Sequence, residues 1–463
     1  MKPRTLPSPA PSVPVDTSLI VLAAGKGSRM RSQLPKVLHQ VGGFSLLWHA
    51  VKSGLSLSPS RIVIVTGHGS DVVAREAMRI TQQAITVHQD AQKGTAHAVR
   101  AAEERLRDFD GNVLILYGDT PFISRQTLQR MAEVRADGAD VVVLGFESDT
   151  PGRYGRLIVE GGALMRIVEY EDAGPAERAV TLCNSGVVLA DARRLFALVE
   201  RVGNDNAAGE YYLTDIVGLA REEGLHCAAV TCDEAETRGV NTRADLAAAE
   251  ATFQQKRRSE IMEAGVTLMA PETVHFSADT EIGADSVVEP HVVFGPGVRL
   301  SDSVKLRAFS HLEGVEASSG AEIGPHARLR PGTRVGASVR IGNFVEVKAS
   351  SIRAGAKINH LSYIGDADIG DRANIGAGTV TCNFDGVSKH STKIGAEAFI
   401  GSDTMLIAPV RVGEGAITAS GSVITNDVPD GNLAIARQRQ VNKPGYAAKI
   451  MTRLRNLGRR RSE

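Results

Sequence analysis

Residues 20–37 read IVLAAGKGSRMRSQLPKV, and this stretch decides how the first half of the chain is interpreted. An apolar run leads into two alanines, Gly25 and Gly27, and then into a segment that carries Ser28 and two arginines. A strand that ends in a small, glycine-rich, basic loop is typical of a phosphate site, because backbone N–H groups are exposed there. The loop is neither a Rossmann G-x-G-x-x-G nor a P-loop. Taken alone, it also fits a plain tight turn.

Composition bounds the class of protein. A chain of 463 residues predicts two or three domains. Basic and acidic residues balance at 53 each, so nothing in the overall charge favours nucleic acid or a membrane surface. The four cysteines lack metal-site or disulfide-framework spacing, which favours reduced thiols in a cytoplasmic protein. No apolar run reaches membrane-spanning length, so we expect no membrane insertion.

The two ends of the chain are expected to be tails. Residues 1–17 are rich in Pro and Ser and lack the apolar core of a signal peptide, which predicts a disordered tail. Residues 447–463 predict a basic, solvated tail, with binding to RNA or another anionic partner as the alternative.

The first half of the chain has the pattern of an α/β domain. Short, nearly continuous apolar runs suit parallel strands that are covered on both faces: LIVLAAG, RIVIVTG, NVLILYG and VVVLGF. Helix-like stretches lie between these runs, for example SRQTLQRMAEVRA. The alternation predicts a Rossmann-like domain over residues 18–241. Residues 242–263 predict one helix, with Thr242 as its N-cap and Gly265 as its stop, and residues 242–265 form a linker arm.

After this arm an aliphatic residue recurs about every six positions, often followed by Gly. The series begins Ile282, Val288, Phe294, Leu300, Leu306, Leu312 and runs, with one-residue slips, to Val412. A period of six fits neither a helix nor simple strand alternation. It predicts a parallel β-helix of hexapeptide repeats over residues 266–446, with three short strands in each coil of eighteen residues. Such helices are typically left-handed, an exception to the usual crossover rule.

The function of the loop at residues 22–38 is indicated more specifically when the motifs that follow it in the chain are considered together with it. The stretch LAAGKGSRMRSQLPKVL resembles the signature of the sugar-nucleotide pyrophosphorylases, and QDAQKGTAHA, YGDTP, YGR, EY, CNSG and GVNTR match further motifs of that family. The resemblance implies transfer of a nucleotidyl group from UTP to a sugar 1-phosphate. It implies that nucleotide and sugar contacts come from Leu22, Ala23, Ala24, Gly25, Lys36, Gln89, Gly94, Thr95, Tyr117, Gly118, Asp119, Gly155, Glu169, Asn184 and Asn241.

The chemistry of nucleotidyl transfer suits these residue types. A sugar phosphate is already largely ionised at neutral pH, so the site needs positioning and charge neutralisation rather than a general base. Arg29 and Lys36 can stabilise the charge of the departing pyrophosphate. The resemblance implies that Mg²⁺ is bound by Asp119 and Asn241, whose oxygens suit that ion.

The β-helix also carries candidate chemistry. Arg330 and Lys348 are one coil apart, so we expect them to stack at one corner, about 5 Å apart, as a site for a phosphate. His360 follows on the next strand, although a lone histidine is more often solvated or packed. Residues 381–393 interrupt the six-residue pattern and predict a loop that leaves the coil.

The order of motifs, the arm and the repeats together resemble a family of bacterial bifunctional enzymes that supply UDP-N-acetylglucosamine for cell-wall synthesis. Their β-helix acetylates glucosamine 1-phosphate with acetyl-CoA, and their first domain transfers UMP from UTP to N-acetylglucosamine 1-phosphate. The resemblance implies that His360 is the general base, oriented by Glu346, since a protonated amine cannot attack a thioester. It implies that the sugar phosphate is bound by Arg330, Lys348, Tyr363 and Asn374, and acetyl-CoA by Ala377, Asn383, Phe384, Ser402, Ser420 and Arg437. It also implies a homotrimer.

Two departures and two alternatives stay open. Phe384 stands where the family commonly has Tyr, and Ser420 where it commonly has Ala. One alternative is a single-function pyrophosphorylase whose β-helix is regulatory or merely oligomeric. Another is a non-catalytic scaffold like the pyrophosphorylase-like subunits of translation exchange factors. Against the first stand Arg330, Lys348, His360 and Asn374. Against the second stands the intact loop around Gly25, together with Lys36 and Asp119.

Overall fold

The computed structural model describes residues 15–459, so residues 1–14 of the tail predicted over residues 1–17 lie outside the described chain. The first strand already begins at Thr17, one residue before the expected domain start. The chain divides into two units, Met1–Lys256 and Arg257–Glu463. The division falls inside the predicted arm helix.

The first unit is built around one mixed sheet with helices between its strands. Its strands are β1 (Thr17–Ala23), β2 (Gln40–Val41), β3 (Phe44–Ser45), β4 (Arg61–Thr66), β5 (Ala84–His88), β6 (Asn112–Tyr117), β7 (Val141–Glu147), β8 (Arg156–Glu160), β9 (Ala163–Val168), β10 (Leu182–Asp191) and β11 (Cys227–Cys232). Its helices are α1 (Leu46–Gly54), α2 (Ser70–Ile80), α3 (Thr95–Arg100), α4 (Glu103–Leu106), α5 (Arg125–Ala136), α6 (Pro175–Arg178), α7 (Ala192–Arg201), α8 (Asp215–Glu222), α9 (Glu234–Thr237) and α10 (Arg243–Glu263).

The strand order of the main sheet is β11-β7-β10-β6-β1-β4-β5, and β8 and β9 extend it as a side branch. The neighbouring strands β6, β1, β4 and β5 all run parallel to one another. Strand β10 lies between β6 and β7 and runs antiparallel to both. All but the first residue of β1 is buried, as expected for a central strand covered on both faces. The expected α/β domain is confirmed, and the carboxyl ends of β1 and β6 lie side by side, where open α/β sheets bind ligands.

The predicted arm helix and both of its ends are confirmed. Helix α10 covers Arg243–Glu263. Thr242 Oγ1 accepts from the Asp245 amide at 3.1 Å, and the Asp245 carboxylate accepts from the Thr242 amide at 2.8 Å, which is a reciprocal capping arrangement. Gly265, just beyond the last helical residue, has a φ of +91°, a conformation that favours glycine at a helix end.

The second unit is a stack of short parallel strands. In chain order these are β12 (Thr267–Leu268), β13 (Glu281–Ile282), β14 (Val287–Val288), β15 (Val293–Phe294), β16 (Arg299–Leu300), β17 (Lys305–Leu306), β18 (His311–Leu312), β19 (Val315–Ala317), β20 (Glu322–Ile323), β21 (Arg328–Leu329), β22 (Thr333–Val335), β23 (Arg340–Asn343), β24 (Glu346–Lys348), β25 (Ser351–Ile352), β26 (Lys357–His360), β27 (Tyr363–Gly365), β28 (Ala367–Ile369), β29 (Asn374–Ile375), β30 (Val380–Cys382), β31 (Thr392–Ile394), β32 (Phe399–Ile400), β33 (Met405–Ile407), β34 (Val410–Val412), β35 (Ile417–Thr418), β36 (Val423–Ile424) and β37 (Leu433–Ala434).

From β13 to β36 every third strand joins the same sheet, which gives three parallel sheets in the described chain, one per face of the coil; β12 and β37 extend the sheet of β14 and β35 at its two ends. Face 1 contains β23, β26, β29, β32 and β35; face 2 contains β22, β25 and β28; face 3 contains β21, β24, β27 and β30. This is the parallel β-helix expected from the six-residue period, and its sheets are consistent with the left-handed form.

The predicted inward residues form the core of the β-helix. Residues of the series such as Val288, Leu306 and Ile358 are almost wholly buried, and only the first, Ile282, is partly exposed. The structure adds a second buried position two residues earlier, which holds a small side chain such as Val298, Ala356 or Ser362. The sequence analysis missed this position because Ala, Ser and Thr do not stand out as a hydrophobic pattern.

Two features lie outside the regular coils. Residues 383–391 leave face 3 as a compact hairpin, in agreement with the predicted loop, and Val387 at its tip is 90 % exposed. Helix α11 (Tyr446–Arg459) occupies part of the predicted basic tail, where no helix was predicted. Within residues 15–459, no helix combines the length and apolar character needed to cross a bilayer.

Candidate functional site

A cleft lies at the carboxyl ends of β1 and β6 and gathers most of the predicted nucleotide-binding residues. Gly25 sits at its rim, and a Cβ added there would meet nothing within 4 Å. The glycine is therefore not required by local packing, and it leaves room over the backbone of the loop. The cleft is lined by Leu22, Ala23, Ala24, Gly25, Lys36, Val37, Gln89, Gln92, Gly94, Thr95, Ala98, Tyr117, Asp119 and Glu210.

Four predicted phosphate and metal residues converge beside this cleft. The Lys36 ammonium forms an ion pair with the Asp119 carboxylate and donates to Asn241 Oδ1 at 3.0 Å. Arg29 also donates to Asn241 Oδ1, at 2.9 Å. The oxygens of Asp119 and Asn241 thus surround one cation, and a second cation lies next to it.

The backbone explains how distant residues meet here. Asp119 lies two residues past β6, and Asn241 lies two residues before α10. The Val240 amide donates to the Asp119 carbonyl at 2.9 Å, which ties the two segments together. The Asp245 carboxylate accepts from the Asn241 amide at 3.0 Å, so the cap of α10 also holds Asn241 in place.

The loop after β5 forms the second wall of the cleft. Gly94 has a φ of +110°, and a Cβ added to it would lie 2.5 Å from the Tyr211 carbonyl oxygen. Only glycine fits this approach. Thr95 begins α3, and its hydroxyl accepts from the Leu213 amide at 2.9 Å. The loop is thereby fixed against the 206–213 segment.

The predicted sugar-contacting residues lie together near the end of β6. The backbone N–H of Asn184 donates to the Gly155 carbonyl oxygen at 2.9 Å. A Cβ added to Gly155 would lie 3.2 Å from Glu169 Oε2. Glu169 accepts from the Thr214 hydroxyl at 3.1 Å, and burial raises the pKa of its carboxyl. The arrangement offers acceptors for sugar hydroxyl groups.

Tyr117 lines the cleft at the end of β6, and Gly118 follows it in the chain. Burial, followed by the nearby charges of Glu169 and Asp119, raises the pKa of Tyr117, so its hydroxyl stays protonated. The Gly118 amide donates to the Leu22 carbonyl at 2.9 Å, which links the ends of β6 and β1.

On the β-helix, the predicted phosphate-binding cations lie at the end of face 3. Leu329 pairs with Val347, so Lys348 lies one coil beyond Arg330. Arg330 donates to the Glu346 carboxylate at 2.9 Å. Lys389 of the hairpin lies close to Lys348, and the hydrogen bond between the two side chains, together with the repulsion between their charges, lowers the pKa of Lys389.

His360 ends β26 on face 1 and has a different partner from the one we expected. Its Nδ1 lies 2.8 Å from Asn343 Oδ1, and Asn343 is its partner in the sheet register. Glu346, the expected orienting residue, belongs to face 3 and pairs with Arg330 instead. The register thus places an amide beside Nδ1 of the imidazole, and the orienting role of Glu346 stays a prediction.

Three predicted acetyl-CoA residues continue the column that His360 begins. Ile358 pairs with Ile375, Ile375 with Ile400, and Ile400 with Thr418 along face 1. The positions two residues later, next to the same corner in successive coils, are His360, Ala377, Ser402 and Ser420. Asn374 lies on the same face, at the start of β29.

The remaining predicted residues lie around the hairpin and beyond it. Tyr363 pairs with Glu346 on face 3, and its hydroxyl lies over Gly365, where an added Cβ would meet it at 2.6 Å. Asn383 donates to the Asp366 carboxylate. Phe384 is 59 % exposed on the hairpin. The side chain of Arg437 lies near Gly421, just after the Ser420 position.

Sequence reasoning missed several residues of both sites. Asn343 lies within the stretch NFVEVKAS, and its place one coil before His360 was the available signal. Lys389 could be suspected only as a basic residue of the inserted loop. Gln92 donates to the Ala24 carbonyl, and Glu210 reaches the cleft from a distant loop. No local pattern marks Glu210, because only the fold brings its loop to the cleft.

Known protein families match both the first unit and the β-helix. Residues 19–213 match the MobA-like NTP transferase domain family, and residues 391–426 match the bacterial transferase hexapeptide family (six repeats). A bifunctional protein GlmU from Jannaschia sp. (strain CCS1) is 56% identical over 96% of this chain and 98% of its own length. Another from Cereibacter sphaeroides (strain ATCC 17025 / ATH 2.4.3) is 59% identical over 95% of this chain and 96% of its own length.

Among solved structures, a UDP-glucose pyrophosphorylase complexed with UDP-glucose covers 52% of this chain and 100% of that one, with 17% identity and a TM-score of 0.44. The near full-length relatives, by contrast, match both units and the arm between them. The chain therefore belongs to the GlmU family of bifunctional enzymes, which join a uridylyltransferase and an acetyltransferase in one polypeptide.

Proposed function

We propose that the β-helix acetylates glucosamine 1-phosphate with acetyl-CoA, and that the first unit then transfers UMP from UTP to the N-acetylated product with release of pyrophosphate. The protein would act in the cytoplasm and supply UDP-N-acetylglucosamine. The near full-length likeness to bifunctional relatives favours two activities over a pyrophosphorylase with an inert β-helix.

The single observation that supports uridylyl transfer is the Lys36 ammonium, which lies between the side-chain oxygens of Asp119 and Asn241. A phosphate oxygen of the sugar attacks the α-phosphorus of UTP, the bond from that phosphorus to the β-phosphate bridge breaks, and pyrophosphate leaves with the bonding pair. The chain supplies alignment and positive charge for this exchange. Lys36 and Arg29 lie where they can bind phosphate oxygens, since both donate to Asn241 at the edge of the cleft.

Asp119 and Asn241 fit a Mg²⁺ ion. Their side-chain oxygens already meet around a cation, the Lys36 ammonium, and Mg²⁺ is usually held by one or two such ligands together with substrate phosphates. When bound, the ion would neutralise charge on the phosphates. Within residues 15–459, no group of three or more His, Cys, Asp or Glu side chains forms an alternative metal site.

The acetyl-transfer site requires a base, because the amine of the substrate must lose a proton before it attacks the thioester carbonyl. Asn343 Oδ1 can only accept a hydrogen bond, so His360 Nδ1 carries a proton and donates to it at 2.8 Å. The other ring nitrogen, Nε2, then keeps its lone pair. We assign the transfer of the amine proton to this atom. The new amide forms as coenzyme A departs as its thiol.

The phosphate of the same substrate is assigned to the end of face 3. Arg330, Lys348 and Lys389 bring three cations to one corner, although Arg330 is shared with Glu346. Like charges that are held this close favour an anion between them. The base and the cations lie on either side of face 3, and a hexosamine 1-phosphate carries its amine and its phosphate on adjacent carbons.

We also propose a homotrimer. The rings of His291, Phe309, His326 and Phe344 stack with centroids 4.8 to 5.1 Å apart along one corner of the β-helix. Phe309 and Phe344 are 54 % and 55 % exposed, and the next position in the ladder is Leu361, beside His360. An apolar ladder of this length suits a surface that is covered by another copy, and its place next to His360 suits a catalytic site completed by that copy.

The test is to assay the purified protein for both reactions. Release of coenzyme A from acetyl-CoA with glucosamine 1-phosphate measures the first activity, and release of pyrophosphate from UTP with N-acetylglucosamine 1-phosphate and Mg²⁺ measures the second. Pyrophosphate release without acetyl transfer would favour the single-function pyrophosphorylase. The absence of both activities would favour the non-catalytic scaffold.

A further inference from the structure

Gln89 has both of its amide hydrogens committed inside the nucleotide cleft. It follows directly after β5, is 5 % exposed and lines the cleft. Its Nε2 lies 3.2 Å from the Gly94 carbonyl oxygen and 3.0 Å from His97 Nδ1. These two contacts fix which way the amide faces.

The chemistry of the partners makes this orientation unambiguous. The carbonyl oxygen of Gly94 can only accept, so the amide atom that contacts it is the NH₂ group. The same NH₂ group donates to His97, so Nδ1 of His97 holds a lone pair and its ring proton lies on Nε2. Both N–H groups of Gln89 are thereby used, and its oxygen Oε1 is the atom left for a ligand in the cleft.

We propose that His97 is a positioning residue that selects the base of the nucleotide by holding Gln89 in this orientation. An Oε1 acceptor suits a base that presents an N–H donor at N3, as uracil does. Cytosine has an unprotonated N3, and its lone pair would face another acceptor. The inference rests on the proposed uridylyl transfer and adds the residue that sets its choice between uracil and cytosine.

The surroundings of His97 keep the imidazole neutral, as this role requires. Burial lowers the pKa of His97, and the charges of Lys93 in the preceding loop and Arg100 on the same helix lower it further. Asp90 acts weakly in the opposite direction. From the facing segment, the ring of Tyr211 lies 6.5 Å from the imidazole, centroid to centroid. Protonation at Nδ1 would turn the acceptor into a donor and release the Gln89 amide.

The experiment measures kcat/KM for UTP and for CTP, with N-acetylglucosamine 1-phosphate and Mg²⁺, in the wild type and in His97→Phe and His97→Asn. The Phe variant keeps a ring but removes the acceptor. The ratio of kcat/KM for UTP to that for CTP should fall by about 5- to 10-fold, the size of one hydrogen bond. In the Asn variant Oδ1 stands near the place of Nδ1, so the ratio should recover. The thermal unfolding midpoint of the first unit, measured on the same samples, reports whether that unit is folded in each variant.

A second readout needs no substitution. The wild-type ratio should fall as the pH drops through the lowered pKa of His97, whereas the ratio in His97→Asn should stay constant, because ionisation of the triphosphate affects both nucleotides alike. An unchanged ratio in His97→Phe, or in the wild type at acidic pH if that variant fails to fold, overturns the inference. A wild type that uses neither nucleotide would instead overturn the proposed uridylyl transfer, so the two failures are distinguishable.

Discussion

Lys36 Nζ lies 3.0 Å from Asn241 Oδ1, although the two residues are 205 positions apart in the chain. The same ammonium pairs with Asp119. Three segments, one after β1, one after β6 and one before α10, therefore meet at a single charge. The contact ties the glycine-rich loop to the residues that we assign to Mg²⁺.

Replacing Asp119 with Ala should abolish uridylyl transfer and spare acetyl transfer. The change removes one proposed metal ligand and leaves the Lys36 ammonium without its ion-pair partner. We expect UTP-dependent pyrophosphate release to fall by at least about a hundredfold, while coenzyme A release is unchanged. Asp108→Ala, which removes an exposed carboxylate of the same unit, is the control. Equal loss of both activities in a folded protein would contradict two separate sites.

His360→Ala should lower kcat for acetyl transfer by about 10²- to 10⁴-fold, the usual size of general-base catalysis. Asn343→Ala should lower it less, since the imidazole remains but its tautomer is no longer fixed. In the wild type, kcat should rise with pH through one inflection and then level off, because only the unprotonated base can accept the amine proton. In His360→Ala that inflection should disappear or move toward the pKa of the substrate amine. Near-normal kcat with an unchanged profile would show that the base lies elsewhere.

Arg330→Ala should act on binding rather than on the chemical step. The guanidinium contributes to the proposed phosphate site, and a charge-assisted hydrogen bond is worth roughly 10- to 100-fold in affinity. We expect KM for glucosamine 1-phosphate to rise by about that factor, with a smaller change in kcat. Arg353→Ala is the matched control, because Arg353 forms an exposed ion pair with Asp368 on a neighbouring face. The same KM change in both variants would argue against the assigned phosphate site.

Glu169→Gln should stabilise the first unit at neutral pH while it weakens binding of the sugar phosphate. Burial raises the pKa of Glu169, and the charges of Asp215 and Asp172 act in the same direction. Between the ordinary pKa and the raised one, the folded chain keeps a proton that the unfolded chain has released. Stability therefore falls as the pH rises through this window, and the full cost is present above it.

The measurement for Glu169 is the thermal midpoint of the first unit at pH 7 and at pH 4, for the wild type and Glu169→Gln. The variant should unfold at a higher temperature than the wild type at pH 7, and this advantage should shrink at pH 4. An advantage that is equal at both pH values would mean that ionisation of Glu169 does not cause it.

Phe344→Glu should weaken the proposed trimer. It places a charge in the middle of the exposed ring ladder, between His326 and Leu361. Sedimentation velocity should show a smaller species at micromolar concentration, with a loss of acetyl transfer and unchanged uridylyl transfer. Val159→Glu, at an exposed apolar position of the first unit, should leave the assembly intact. A wild type that sediments as a stable monomer would sink the proposal outright.

The sequence by itself determined the architecture, since the signals that encode it are local. Continuous apolar runs marked the central strands, a six-residue period marked the β-helix, and Thr242 and Gly265 marked the ends of the arm helix. Each of these depends on neighbours within one strand, one coil or one helical turn. The loop around Gly25 indicated a phosphate site for the same reason, because the residues that form the motif are consecutive in the chain.

Only the tertiary structure decided which side chains meet. His360 follows Asn343 by seventeen residues, and the strand register places the Asn343 amide beside the imidazole, whereas Glu346 lies on another face and pairs with Arg330. The orientation of the Gln89 amide depends on His97 and on a backbone carbonyl, neither of which a motif encodes. Contacts of this kind are set by strand register and by loops that pack together from distant parts of the chain. A single sequence carries no periodicity that records them.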